Sequence, residues 1–347
     1  MARIYLDHNA TAPLRPEARA AMIAAMDVVG NPSSVHAEGR AAKAIVEQAR
    51  AALATALGAH GADIVFVSGA TEAAALALAG RDLHGAGIEH DAVRAWTREV
   101  LAVDQSGLVQ ITDPPRATLQ LANSETGIVQ DLPSGLAVSD WTQGFGKLPL
   151  AFDWSGIEMA FVSAHKIGGP KGIGALIIKR GLDLGAQIRG GGQEMGRRAG
   201  TENVIGIAGF GAAAAAATQD LADGVWERVA QLRNILEKIL EDDAQSTILV
   251  GKGVARLPNT SFILTPGWRG ETQVMQMDLA GVAVSAGSAC SSGKVKASGV
   301  LRAMGYDAAH AAAGLRVSLG PQTREAEVLT FADLWLAARR RAAERAR

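Results

Sequence analysis

The sequence predicts an α/β fold, because short runs rich in β-branched residues alternate with alanine-rich stretches of helical character. Its 347 residues can bury a large core, and this length suggests about two domains. The net charge of −1 gives no general attraction to nucleic acid. The most apolar stretch, residues 204–218, is rich in alanine and too short for a membrane span, so it predicts a helix packed inside the protein.

The first predicted strand comprises residues 64–67, and a helix is expected from Thr71 to Ala79 after the turn at Ser68-Gly69. Residues 226–240 carry apolar side chains at helical spacing, which favours a long amphipathic helix that bridges a large domain and a smaller one. Further strands are predicted at 117–121, 159–163, 174–178, 261–264 and 282–285, and further helices near 299–304 and from 324 onwards.

Cys290 is the only cysteine, and it stands in a run of serine and glycine. A buried free cysteine usually has apolar neighbours, whereas this composition is typical of a solvated loop. The thiol is therefore either an accident of the loop or a working nucleophile. A single cysteine excludes an internal disulfide, and the N-terminus lacks the apolar core of a signal peptide, so we expect a cytoplasmic protein.

Residues 65–72 combine a strand, a glycine turn and the start of a helix. The unpaired N–H groups near Ala70 and the hydroxyl of Thr71 would suit an anion such as phosphate. An ordinary helix N-cap has the same composition, so this motif alone does not decide between the two.

Lys166 follows a predicted strand and precedes several glycines that would let a flat ligand approach the backbone. Such a lysine could form a Schiff base with a carbonyl cofactor, although a surface loop lysine is the simpler interpretation. Asp140 stands upstream at another predicted strand end. A lysine, a carboxylate and a phosphate cradle are the parts that a pyridoxal phosphate site needs.

Eight sequence motifs, in the same order, resemble the cysteine desulfurases of the NifS/IscS kind, a branch of the class V aminotransferase superfamily. The match runs nearly end to end. The motifs are Tyr5–Pro13, Gly30–His36, Ser68–Glu72, Glu89–His90, Gly190–Glu194, Arg197–Asn203, Ser285–Cys290 and Leu315–Gly320.

The resemblance implies a pyridoxal 5′-phosphate-dependent transferase fold of type I. Residues 16–245 would form a trimmed large domain with a mixed, mostly parallel sheet flanked by helices, and residues 1–15 with 246–347 a smaller α+β domain. Cofactor contacts are expected from Lys166, Asp140, Gln143, Thr71, Ala70, Ser163, His165, His90, Asn123 and, across a homodimer, Thr201. No metal is expected.

By the same resemblance, Cys290, Lys166 and His90 would be catalytic, while Arg316, aided by Asn31, would bind the substrate carboxylate. Taken alone, Arg316 could be a structural ion pair and His90 a turn residue facing water. The implied reaction converts L-cysteine to L-alanine and leaves the sulfur on Cys290 as a persulfide. The loop that separates Cys290 from Val300 resembles the long-loop group, which hands sulfur to an acceptor or an iron–sulfur scaffold protein.

The alternatives are a selenocysteine lyase and a weakened scaffold that acts through partner binding. An ordinary aminotransferase is less favoured, since its reaction does not need Cys290. The chain also departs from the family at Ser124, which replaces an asparagine that contacts the ring oxygen; a hydroxyl could reach through a water, or Asn123 could substitute.

Trp141 stands where the family has alanine, so it should either crowd the cofactor or fill vacated space. The spacers 71–90, 90–123 and 125–140 are shorter than in relatives. They predict a large domain that lacks surface helices and has lost a strand near 80–90.

Overall fold

A computed structural model describes residues 3–243, 247–287 and 297–345. The helices are α1 Pro16–Met26, α2 Ala37–Leu57, α3 Ala70–Leu78, α4 Asp91–Arg94, α5 Phe152–Ser155, α6 Val204–Ala222, α7 Val225–Asp243, α8 Gly270–Leu279, α9 Gly299–Ala303, α10 Ala308–Ala311 and α11 Glu325–Arg345. The strands are β1 Ile4–Tyr5, β2 Ala62–Val67, β3 His84–Ala86, β4 Arg98–Leu101, β5 Val138–Asp140, β6 Met159–Ser163, β7 Gly174–Lys179, β8 Ile248–Leu249, β9 Thr260–Leu264, β10 Val282–Ala283, β11 Ser285–Ala286 and β12 Gly314–Ser318.

The main sheet has the strand order β2-β7-β6-β5. Strand β7 is antiparallel to both of its neighbours, whereas β5 and β6 are parallel. Parallel bridges at Thr118–Val138 and His84–Ala117 continue the sheet towards the parallel pair β3-β4. All of these strands except β7 therefore run in one direction, and their C-terminal ends meet at one edge. The strand predicted at 117–121 forms bridges here rather than an uninterrupted ladder.

The main sheet is buried on both faces, which explains the nearly continuous apolar runs of its strands. Successive strand residues alternate between the faces: Val65 packs with α3, and Phe66 packs with α2 and α6. Small residues let α6 approach α2 closely, since a Cβ on Gly211 would lie 2.7 Å from Ala49. Helix α6 extends beyond the predicted 204–218 and, among the described helices, is the one whose length and composition would permit a membrane span; half of the apolar window lies inside the protein.

The second sheet has the order β11-β12-β9-β8 and is antiparallel throughout. One of its faces packs with α7, α8 and α11 around the fully buried Phe331 and Trp335. The helix predicted at 226–240 is confirmed as α7, and its apolar side chains belong to this cluster. The division of the chain into two domains near residue 245 stays a prediction.

The region between α3 and α5 is short of helices, as the spacers predicted. Every residue of this range is described, and α4, of four residues, is its only α-helix. The prediction that a strand near 80–90 had been lost is wrong, because β3 is present at His84–Ala86. The short run around Gly85 has no alternation of apolar and polar residues that would predict a strand. Pairing with Ala117 on one side and with β4 on the other holds β3 in an extended conformation.

Candidate active site

A cavity of about 710 Å³ opens at the C-terminal edge of the main sheet. Asp140 ends β5 and Ser163 ends β6, so both reach this edge from parallel strands. The N-terminus of α3 follows β2, and Arg316 enters from β12 of the second sheet. The cavity thus lies where ligands bind in open α/β sheets, beyond the carboxyl ends of the strands.

The N-terminus of α3 forms one wall of the cavity. Gly69 is the N-cap and offers no side-chain acceptor, so the first N–H groups of the helix stay available at Ala70 and Thr71. A Cβ at Gly69 would meet no atom of the described residues within 4 Å, which leaves space beside these groups in that part of the chain. The helix dipole adds a favourable potential for an anion.

Lys166 lies in the turn after β6 and is largely buried. Its Nζ donates to the carbonyls of Asn9 at 2.6 Å and Ala10 at 2.9 Å. Burial, and next the nearby charge of Arg316, lowers the pKa of Lys166 to about 8. Loss of a proton is therefore far easier than for a lysine in water, which favours nucleophilic chemistry at this amine.

Asp140 is buried and receives a hydrogen bond from the backbone N–H of Thr142 at 2.8 Å. Burial raises the pKa of its carboxyl group, while hydrogen bonding from Thr142 and the proximity of His90 and Lys166 oppose that shift. A buried carboxylate of this kind would gain from a cationic partner inside the cavity.

His90 lines the cavity and is exposed to it. Its Nδ1 accepts a hydrogen bond from the N–H of Ala92 at 3.1 Å, so the ring caps α4 and Nε2 is not used in the cap. The side chain is therefore both a turn residue and a member of the site.

Arg316 combines the two interpretations drawn from the sequence. Its guanidinium is paired with Asp7 at 2.8 Å and donates to the carbonyl of Ser124 at 3.0 Å. It is also part of the cavity lining, and its buried Nε has no hydrogen-bond partner among the residues that the structure describes. A guanidinium has five N–H donors, so several remain for a ligand carboxylate.

Three further predicted residues line the same cavity: Gln143, Ser163 and His165. Burial, followed by the charges of Lys166 and Lys171, lowers the pKa of His165 to about 4, so its ring is neutral at physiological pH. Its Nδ1 lies 3.2 Å from the hydroxyl of Thr11. A neutral imidazole that lines the same cavity as the α3 N-terminus can donate one hydrogen bond to an anion.

Asn123 is not among the residues that line the cavity, and its contact with the cofactor stays a prediction. Its amide donates to the carbonyl of Ile88 and accepts from the N–H groups of Glu125 and Thr126, so it is consumed in a buried turn. The neighbouring Ser124 lines the cavity instead.

Besides Asn123, two further predicted residues lie away from the cavity lining, and one cannot be placed. Asn31 is exposed and accepts from the N–H of Ser33, while Thr201 is exposed before α6. Thr201 was expected to act on a neighbouring subunit, which a single chain does not contain. Cys290 falls outside the described residues.

Several buried polar residues around the site were not singled out by sequence reasoning. Asn9 is fully buried and contacts both Lys166 and Gln143. Glu89 lines the cavity, and Lys147 lies behind Gln143. Asn9 and Glu89 belong to motifs that carried the resemblance, so that signal was present; nothing in the sequence marked Lys147.

Trp141 fills space in the core rather than crowding the cavity. Its ring packs edge to face on Phe152, with 5.8 Å between centroids, and it is absent from the cavity lining. Trp141, where the family has alanine, was expected either to crowd the cofactor or to fill vacated space. The structure favours the second possibility.

Replacing Trp141 with alanine should lower the free energy of unfolding by about 3–5 kcal/mol, because a buried aromatic ring leaves a large void. Urea denaturation measures the loss. Trp154 is 91% exposed and is the matched control; its alanine variant should stay within about 0.5 kcal/mol of wild type. Equal effects at both positions would contradict the packing described for Trp141.

Comparison with known proteins places this geometry in a family. The family model for class V aminotransferases matches residues 4–93 and 112–331, so the chain belongs to the class V aminotransferase family. The fold and family expected from the motifs are confirmed.

The named relatives narrow the likeness. A cysteine desulfurase of Frankia sp. (strain EuIK1) is 41% identical, covering 95% of this chain and 90% of the relative. One from Cereibacter sphaeroides is 38% identical, covering 94% and 93%. The structure of a NifS-like protein from Rickettsia africae ESF-5 superimposes with a TM-score of 0.87 at 33% identity, covering 96% of this chain and 98% of the other.

Proposed function

We propose that the protein is a pyridoxal 5′-phosphate-dependent cysteine desulfurase, which converts L-cysteine to L-alanine and passes the sulfur to Cys290. The observation that carries this proposal is the meeting of Lys166, Asp140, Arg316 and the α3 N-terminus in one cavity. The kinship with cysteine desulfurases over most of the chain agrees with it.

The residues present fit the cofactor. The open N-terminus of α3, with Thr71, Ser163 and His165 beside it, would hold the phosphate. Asp140 has no cation in direct contact among the described residues, and a protonated pyridine nitrogen would supply one. Gln143 would donate to the ring oxygen, and His90 would lie against the ring.

When bound, the cofactor supplies an electron-accepting ring that stabilises negative charge at the substrate Cα. Lys166 would hold the cofactor, and its Nζ would accept the Cα proton of the substrate. Its lowered pKa keeps a useful fraction of the amine unprotonated near neutrality. Arg316 fixes the substrate carboxylate, which orients the Cα–H bond towards Lys166.

Sulfur transfer would take place in a single nucleophilic attack. The Cys290 thiolate attacks the substrate sulfur, an S–S bond forms and the substrate C–S bond breaks, leaving its electron pair on Cβ. Protonation at Cβ and Cα then gives alanine. An added thiol, or a cysteine of an acceptor protein, attacks the persulfide and removes the outer sulfur.

Cofactor loading should follow the lowered pKa of Lys166. A free amine is required, so the loading rate should rise with pH, reach half its maximum near the pKa of about 8 and then level off. The ordinary value of 10.5 would instead place the midpoint more than two units higher. Stopped-flow absorbance of the cofactor measures this; a rate still rising steeply above pH 10 would contradict the prediction.

Arg316→Lys should raise the KM for cysteine by about 10- to 100-fold, because a charge-assisted bidentate contact is worth about 1.5–3 kcal/mol. Lysine keeps a cation for Asp7, which limits damage to the fold. Arg256→Lys is the matched control, since the Arg256 side chain is as buried as that of Arg316 and forms an ion pair with Glu237. An equal KM increase in both variants would show that Arg316 has no special role at the substrate.

The remaining parts of the proposal concern the assembly. A homodimer would let Thr201 reach the phosphate site of the second copy, which accords with its exposed position here. Residues 16–245 would form the large domain, and 1–15 with 246–347 the small one. An acceptor or iron–sulfur scaffold protein would take the sulfur in the cytoplasm.

Selenocysteine lyase activity remains the alternative within the same site. The protein loaded with cofactor is incubated with L-cysteine or L-selenocysteine, and alanine is quantified. Alanine from both amino acids, with only the cysteine reaction lost in Cys290→Ser, supports the desulfurase. Alanine from selenocysteine alone would favour the lyase, and alanine from neither would favour a scaffold without turnover.

A further inference from the structure

Lys147 is a buried lysine without an acidic partner. Its side chain is 3% exposed, and no Asp or Glu forms an ion pair with it in the part of the chain that the structure describes. The chain turns back into the core at Gly146, whose φ of +71° suits glycine. A buried ammonium costs free energy unless each of its N–H groups finds an acceptor, so the stability of this arrangement depends on the hydrogen bonds of Nζ.

The three oxygens around Nζ of Lys147 come from two residues. Gln143 contributes its carbonyl oxygen at 3.1 Å and its side-chain Oε1 at 2.9 Å, and Asn9 contributes Oδ1 at 3.5 Å. Lys147 and Gln143 lie in one turn, which folds back at Gly146 and brings Nζ against the Gln143 side chain. Two of the three acceptors of the ammonium therefore belong to Gln143, and the shortest of the three distances is to its side-chain Oε1.

This arrangement fixes which atom of the Gln143 amide faces which way. An ammonium can only donate, so the atom opposite Lys147 has to be Oε1. On the other side, Nε2 donates to the carbonyl of Asn9 at 2.9 Å. Burial and the charge of Lys166 lower the pKa of Lys147 to about 7. Even the uncharged amine has two N–H donors facing these oxygens, which preserves the orientation.

The orientation matters because Gln143 lines the main cavity, while Lys147 does not. Lys147 instead lines a separate cavity of about 330 Å³ on the other side of Lys166. Nε2 of Gln143 has two N–H groups, and the one that Asn9 does not use can donate to an anionic oxygen in the cavity. A rotated amide would present Oε1 and repel it.

We propose that Lys147 is a positioning residue that clamps the Gln143 amide, so that its N–H donor is directed at the ring oxygen of the bound cofactor. This inference rests on the proposed function. Without Lys147, Oε1 of Gln143 would be left buried with no donor, and the amide would turn away to find one. Lys147 thus acts through Gln143 and touches neither substrate nor cofactor.

The test follows the pH midpoint of the bound cofactor's absorbance change, a readout that a general loss of stability does not move. Loss of the Gln143 donor would leave the ring oxygen more electron-rich. The Lys166 nitrogen, through which the cofactor would be attached, would then hold its proton more tightly. Lys147→Met should therefore raise the midpoint by about one pH unit. Gln143→Ala should raise it similarly, and the double variant should match Gln143→Ala alone, as expected for residues that act as one unit.

Lys147→Gln separates orientation from charge. Its amide can donate to Oε1 of Gln143 but carries no charge, so it should restore the midpoint to near that of wild type. It also serves if Lys147→Met fails to fold. Lys179→Met, at the exposed end of β7, is the control and should leave the midpoint unchanged.

Two results would overturn the proposal. The first is a Lys147→Met midpoint equal to wild type, or a shift that adds to that of Gln143→Ala. The second is a Lys147→Gln shift as large as that of Lys147→Met, which would assign the effect to charge alone. A wild-type protein that binds no cofactor would instead refute the proposed function, and the two failures are thereby distinguished.

Discussion

Lys166→Ala is expected to reduce alanine formation from cysteine by at least about 10³-fold, since the variant loses both the cofactor's attachment point and the base for the Cα proton. The fold should survive, because the hydrogen bonds of Nζ within the described residues go only to the carbonyls of Asn9 and Ala10, and Asn9 keeps its bond from Gln143. Alanine quantification and cofactor absorbance measure the two losses separately.

The control for this variant is Lys179→Ala, which removes an exposed lysine at the end of β7. A small primary amine added to Lys166→Ala should restore part of the activity, because it can replace the missing base. Retention of most of the activity without added amine would show that another group removes the proton, and the role assigned to Lys166 would fail.

Cys290→Ser should reduce desulfuration of cysteine by about two orders of magnitude or more, because an alcohol does not replace a thiolate as nucleophile towards sulfur. Cofactor loading should stay unchanged, which separates this loss from that in Lys166→Ala. The chain has one cysteine, so a persulfide found by mass spectrometry after incubation with substrate can only be on Cys290. A variant that forms alanine from cysteine at the wild-type rate would contradict the transfer step.

The sequence predicted best those residues that stand at or just after the ends of predicted strands. Asp140, Ser163 and Lys166 each follow a buried apolar run, and parallel strands bring such ends to one edge of a sheet. Their meeting in the cavity was therefore foreseeable from local pattern and chain order. The position of Arg316 depended on the resemblance, because no local pattern brings β12 to that edge.

Tertiary contacts decided what local patterns could not. The strand β3 has no alternating pattern and is held by its neighbours, so the predicted loss of a strand was wrong. The amide of Asn123 is used within its own turn, which leaves Ser124 at the cavity. Lys147 looks like any surface lysine in the sequence, and only the structure shows it buried against Gln143.

The most direct test of the central claim is the yield of alanine and sulfide from L-cysteine, measured together with and without an added thiol. The account predicts alanine and thiol-dependent sulfide in equal amounts from the wild-type protein, and neither in quantity from Cys290→Ala. Wild-type protein that carries the cofactor but yields no thiol-dependent sulfide would contradict it.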